Sequence, residues 1–257
     1  ATANHHGSSA TLAKGDGTGS STAVGVALAL GFVDDSARAT TTRNITADGA
    51  VSFTASADGA SKSEAKASAD GADKSEEGGK GKASADDQSK SATGVANKQA
   101  GLSGGDAKKS DGKKASTDDG DAGTSGEGSV SVGAALAPNI APSVADASIS
   151  GVAITAGDGA GTGALNLKSE NNMDASAIAD ASGAEGKTGT SVGVAIAINV
   201  ADMQNHATVG AGTTVNADGV SAQALMKDVG GNKSHNFAAK ATSGASGGET
   251  GVAGSFA

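Results

Sequence analysis

The 257-residue chain contains no cysteine, tryptophan or tyrosine, only two prolines, and four phenylalanines. Disulfide staples and thiolate-bound metals are therefore excluded, and no aromatic core can be built. Leu, Ile, Val and Phe together number 36, about 14% of the residues, a proportion ordinarily found in chains too poor in apolar surface to fold. There is no run of 18 apolar residues and no charged start followed by an apolar stretch, so neither a membrane span nor a signal peptide is read here. The formal charge of −9 lacks the basic footprint of a nucleic-acid binder.

What the chain does have is an internal repeat. Val24-Gly25-Val26-Ala27-Leu28-Ala29-Leu30, Val132-Gly133-Ala134-Ala135-Leu136-Ala137-Pro138 and Val192-Gly193-Val194-Ala195-Ile196-Ala197-Ile198 align without a gap, and a fourth block starts at Gly251-Val252-Ala253-Gly254. The similarity continues through Asn139-Ile140-Ala141 and Asn199-Val200-Ala201, then Ala39-Thr40, Ala147-Ser148 and Ala207-Thr208. Beyond these come Ile45-Thr46-Ala47, Ile154-Thr155-Ala156 and Val215-Asn216-Ala217. The glycine spacing is 60 between the second and third blocks, 58 between the third and the fourth at Gly251, and 108 between the first and second. Such recurrence is the signature of an array whose units bury their apolar faces against their neighbours.

Alternation identifies the units as β. From Val51 the odd positions are Val51, Phe53, Ala55, Ala57, Gly59, Ser61, Ser63, Ala65, Ala67 and Ala69, while Lys62, Glu64 and Lys66 are even, so one strand face is small and dry and the other charged. The glycines, together with many Ser, Thr, Asp and Asn residues, oppose long helices. The reading is all-β, a repetitive elongated parallel β-helix or β-solenoid, with an antiparallel β-meander array as the alternative. Val26, Leu28, Leu30, Ala134, Leu136, Val194, Ile196 and Ile198 are expected to face inward, so that Ile196→Asp would cost several kcal/mol. Asp58-Gly59, Asp70-Gly71, Asn171-Asn172 and Gly230-Gly231 are candidate hairpin turns or solenoid corners.

The expected organisation is a first unit at 1–60, a polar insertion at 61–127, units at 128–186 and 187–248, and the start of a fourth at 249–257. The insertion holds 11 lysines, 13 acidic residues, and only Val95 and Leu102 as large aliphatics. It reads as a solvated loop, least ordered over Gly78 to Glu127, or as extra coils with an Ala/Ser interior where Ser61 to Ala69 alternates. Because the sequence ends inside a unit, it reads as a segment of a longer array.

Candidate chemistry is sparse. His5, His6, His206 and His235 are the only histidines, and no nucleophile–base or paired-carboxylate pattern recurs, so no catalytic, cofactor-binding or metal-binding residue is assigned. Adjacent His5 and His6 point to opposite faces of a strand and read as a mobile polar terminus. Gly15-Asp16-Gly17-Thr18-Gly19 and Gly157-Asp158-Gly159-Ala160-Gly161-Thr162-Gly163 lack the nonapeptide period of calcium β-rolls. They read as turns, with weak Ca²⁺ binding the alternative. Asp34 and Asp202 share a repeat position, and Asn139 with Asn199 could form an amide ladder. Asn44-Ile45-Thr46 and Asn232-Lys233-Ser234 match the glycosylation pattern only by coincidence.

The phrase from Ser191 to Asp202, followed by Ala207-Thr208-Val209-Gly210 and Val215-Asn216-Ala217-Asp218-Gly219-Val220, resembles repeats of large bacterial filamentous adhesins and leukotoxin-like exoproteins. The resemblance covers the repeat units and not the insertion. It implies a β-helical stalk, secreted or attached to the bacterial surface, and brings no catalytic or binding residues with it. The expected function is a non-enzymatic structural or adhesive stalk, extracellular or at the cell surface, meeting a cell-surface or matrix component or another copy of itself. The alternative is an interaction module in which the 61–127 insertion contacts the partner.

Overall fold

The structure, a computed structural model, describes residues 1–19, 22–71, 129–157, 163–185, 189–247 and 249–257. Among these residues the chain forms β-strands and no helix. In order they are β1 (Thr2–Gly19), β2 (Thr22–Leu28), β3 (Gly31–Phe32), β4 (Asp35–Thr41), β5 (Ile45–Ala47), β6 (Val51–Gly71) and β7 (Ser129–Ile149). Then follow β8 (Ala153–Ala156), β9 (Ala164–Glu185), β10 (Gly189–Val209), β11 (Thr214–Asn216), β12 (Gly219–Met226), β13 (Asn236–Ser246) and β14 (Thr250–Phe256). Sheet A has the order β1-β6-β9-β12, with β13 also on β9; sheet B has the order β14-β10-β7-β2, with β3 and β4 also on β7; sheet C is β11-β8-β5. All of these strand pairings are parallel, which overturns the antiparallel meander. A meander joins neighbours by tight hairpins, whereas among the described residues no strand pairs with the next in sequence and each pairs with its counterpart a unit away.

The repeat sets the register. β7 and β10 pair over their whole 21 residues, with Gly133 opposite Gly193, Leu136 opposite Ile196 and Asn139 opposite Asn199. Val24 and Gly25 pair with Val132 and Gly133, and Ile45 and Val215 both pair with Ile154. The fourth block departs from the expected alignment: Val192 pairs with Val252, so Gly193 meets Ala253 and not Gly251. The offset there is again 60, a slip of two residues that preserves which side chains face inward. Gly151 and Gly212, with φ of 65° and 73°, occupy turns into sheet C that only a residue tolerant of positive φ fits easily.

The expected core is inverted. Val26, Leu28, Leu30, Leu136, Val194 and Ile198 are 36–48% exposed, and Ala134 and Ile196 are only half-buried. Their small neighbours point inward: Ala27, Ala29, Ala135, Ala137, Ala195 and Ala197 form one cluster with Ala65, Ala67, Ala177, Ala179 and Ala181 of sheet A. The reason is width. A Cβ on Gly25 would overlap the carbonyl oxygens of Ser68 and Gly15, and one on Gly193 would overlap that of Gly244. Here sheets A and B approach closer than the roughly 10 Å spacing of ordinary stacked sheets, leaving room only for hydrogen or methyl. Nearer sheet C the interior widens to hold Phe53, Ile149, Ile154, Leu165 and Leu167.

The odd-position face of β6 is buried as expected apart from half-buried Gly59, and Lys62 and Lys66 are exposed. Residues 61–71, placed with the insertion on sequence grounds, continue β6 and pair with both β1 and β9. Gly78 to Glu127 lies outside the described residues. Gly230-Gly231 does form a tight turn, with positive φ at both residues and an antiparallel bridge between Val229 and Asn232. Asp58-Gly59 and Asn171-Asn172 are no hairpins; they lie within β6 and β9, where strict alternation breaks and Asn171, Asn172 and Met173 are buried in succession. Asp70-Gly71 ends β6.

Candidate functional site

A chemically distinct surface follows from the thin interior. Because only Ala, Gly and Ser fit between the sheets beside the repeat blocks, every large aliphatic residue of those blocks is displaced to the outer face of sheet B. Parallel pairing then stacks these residues in columns: Val24, Val132, Val192 and Val252; Leu28, Leu136, Ile196 and Phe256; Phe32, Ile140 and Val200. Exposure reaches 62% at Phe32 and 65% at Phe256. Further along the same strands the outward columns turn polar, with Arg38, Asp146 and His206 abreast and then Thr40, Ser148 and Thr208. Arg38 Nη1 lies 3.7 Å from Asp146. The face is thus divided into an apolar field and a polar field.

A second feature gathers ionisable groups distant in sequence. His5 Nδ1 lies 2.8 Å from Asp35 Oδ1, and both His6 and Lys227 contact Asp58. Asp35 is fully buried, fitted above Gly7 and Gly59, where a Cβ would overlap its carboxylate. Neither of its oxygens has a hydrogen-bond partner of good geometry among the described residues. Burial raises its pKa, and the opposing pull of His5 only partly offsets the effect. Burial would also raise Asp58, but hydrogen bonds from Lys227 and His6 outweigh it and hold that carboxyl below its ordinary value.

The same region contains an amide network. Asp58 pairs in register with His6 and Asn172. Asn172 Nδ2 donates to the carbonyl oxygens of Lys227 and Asn232 at 2.9 and 3.1 Å. The groups therefore tie β1, β6, β9 and the segment after β12 together where the long strands lose alternation. Nothing in residue spacing announced this set, because its members run from position 5 to position 227. His5 and His6 lie in β1, so the reading of a mobile terminus is corrected: β6 supplies a full parallel partner for that strand. Asp34, singled out by its repeat position, is exposed, and its neighbour Asp35 is the buried one.

The expected Asn139–Asn199 ladder is present. Asn139 Nδ2 donates to Asn199 Oδ1 at 2.9 Å, Ser61 Oγ donates to Asn139 Oδ1 at 2.6 Å, and Asn199 Nδ2 donates to the Ala175 carbonyl at 2.8 Å. It ends at Gly31, which occupies the same column; a Cβ there would collide with the Asn139 amide. Gly15-Asp16-Gly17-Thr18-Gly19 is strand, not a turn: its glycines permit close approach to the β2 backbone, and Asp16 accepts a hydrogen bond from Ser68 Oγ. Most of Gly157 to Gly163 lies outside the described residues. Asn44 Oδ1 accepts from the Ala153 amide at 2.8 Å, joining two units. A shallow cavity of about 340 Å³ crosses β1, β6 and β9 beside Ser8, Lys62 and Asp174. Among the described residues no three His, Asp or Glu side chains are placed to share a metal ion. In comparisons with known proteins the chain matches no protein-family model, no curated protein and no solved structure.

Proposed function

We propose that the chain is a segment of a parallel β-solenoid that serves as a non-catalytic structural or adhesive stalk of an exported bacterial surface protein. The observation that supports the reading best is the full-length pairing of β7 with β10 at an offset of 60 residues. The path supports it as well: the chain passes through sheets A, B and C in the same cyclic order from β1 to β14, as a coil does. Each coil of about 60 residues advances the stack by one strand spacing, roughly 4.8 Å. Reach therefore comes from many units, and a few units form a broad slab whose lateral faces are its main asset. The extracellular setting rests on the resemblance of the repeats.

The experiment is an adhesion assay on cells or matrix with residues 72–128 removed, leaving β6 and β7 intact. Unchanged adhesion with unchanged β circular dichroism supports the stalk. Lost adhesion with unchanged circular dichroism assigns contact to the insertion, and a turnover abolished by one point substitution would overturn the non-catalytic reading.

A further inference from the structure

We propose that the apolar field of sheet B is a self-association surface, on which a second copy of this chain packs face to face about a two-fold axis. The inference rests on the parallel in-register stacking of the proposed solenoid, and not on its adhesive role. The field is bounded. From the column of Thr22, Val130, Thr190 and Thr250 to the column of Phe32, Ile140 and Val200, no outward side chain is charged. Two copies of a chain with net charge −9 repel over most of their surface, and this face is where that repulsion is locally absent.

Size fits as well. Three strands of eleven residues and β14 with seven, at about 4.8 Å between strands and about 3.3 Å per residue, give roughly 630 Å² per copy. Two such faces together reach about 1,300 Å², within the range of stable specific interfaces. Columns such as Leu28, Leu136 and Ile196 form ridges, with the smaller column of Val26, Ala134, Val194 and Gly254 beside them, and identical ridges interdigitate when one sheet is turned over on another. The 72–128 segment is a poor occupant by composition, since it offers only Val95 and Leu102 as large aliphatics. A second copy supplies a face of equal area and equal polarity.

The test is sedimentation equilibrium of the 257-residue chain from about 1 to 100 µM, a range in which an interface of this size associates. It is repeated for Leu136→Lys, Val194→Lys and, on the polar field of the same sheet, Thr208→Lys. The expected result is a concentration-dependent dimer, weakened about tenfold or more by either of the first two changes and unaltered by the third, with β circular dichroism retained. Should a lysine variant fail to fold, Leu136→Cys in this cysteine-free chain carries a spin label. Dipolar broadening between copies, diluted out by unlabelled protein, then reports the same contact. A wild-type monomer at 100 µM overturns the proposal, as does a dimer indifferent to both lysines and silent at the label. Binding of monomers to phosphatidylcholine vesicles would assign the face to lipid instead. None of these outcomes bears on the stalk reading, which the adhesion assay decides separately.

Discussion

Gly133 and Gly193 occupy one column of sheet B and pair directly, yet replacing each with alanine should have opposite effects. At Gly133 a Cβ would lie 3.5 Å from the Ala184 Cβ, 3.7 Å from the Ala67 carbonyl oxygen and 3.8 Å from that of Ala181. These are ordinary contacts. Gly133→Ala removes freedom from the unfolded chain and buries a methyl group, which together should stabilise by about 1 kcal/mol. At Gly193 the Cβ would overlap the Gly244 carbonyl oxygen and stand 2.9 Å from that of Ala181. Both obstacles are backbone atoms of sheet A that cannot rotate aside, so Gly193→Ala should destabilise by about 1–3 kcal/mol. The two variants should therefore differ by about 2–4 kcal/mol in urea unfolding followed by far-UV circular dichroism, with unchanged m-values. Equal loss in both, or a gain at Gly193, would refute the claim that sheet separation limits side-chain size.

Ile196 faces outward, so Ile196→Asp should cost about 1 kcal/mol or less in the monomer, whereas Ala197→Asp, at a fully buried site, should cost several kcal/mol; thermal melts compare them directly. Asn139→Ala leaves Ser61 Oγ and Asn199 Oδ1 without their amide partner and should cost about 1–3 kcal/mol in the same unfolding assay. Asp35, whose folded pKa is raised, binds protons more readily folded than unfolded, so its contribution to stability falls as pH rises from 3.8 through the folded value. Asp35→Asn should consequently be about 1 kcal/mol more stable than the parent at pH 7, with the difference vanishing toward pH 3.8. Asp58, held low, acts oppositely: its stabilisation is present above 3.8 and is lost as pH falls through its lowered folded value, so Asp58→Asn should erase that acid limb of the stability profile.

Period and parity were legible in the sequence, and phase was not. The aligned blocks around Gly133 and Gly193 are strand neighbours, and the odd-position face from Val51 to Ala69 is the inner one. Those features depend on identity recurring at a fixed spacing. In the Val-Gly-Val-Ala-Leu-Ala-Leu block, however, the usual rule that large apolar residues go inward chose the wrong face. The interior width is set by how closely two backbones approach across the sheets, which no local pattern states. One signal was available: the odd positions of all three blocks hold only glycine and alanine, and a face made only of these residues is suited to close packing. The grouping of His5, His6, Asp35, Asp58 and Lys227 was hidden for another reason, because each member occurs once and only the three-dimensional path unites them.

The central claim is that units 60 residues apart lie as adjacent parallel strands in register. Ser148 and Thr208 are paired on β7 and β10 with outward side chains, and Thr40 pairs with Ser148 on the other side. With no native cysteine, spin labels placed by Ser148→Cys with Thr208→Cys, and by Thr40→Cys with Thr208→Cys, measure the stack without background. Continuous-wave spectra should show strong dipolar broadening for the first pair, one strand spacing of roughly 5 Å apart, and weaker broadening for the second, two spacings or roughly 10 Å apart. Unbroadened spectra from the Ser148–Thr208 pair in folded protein would contradict the account.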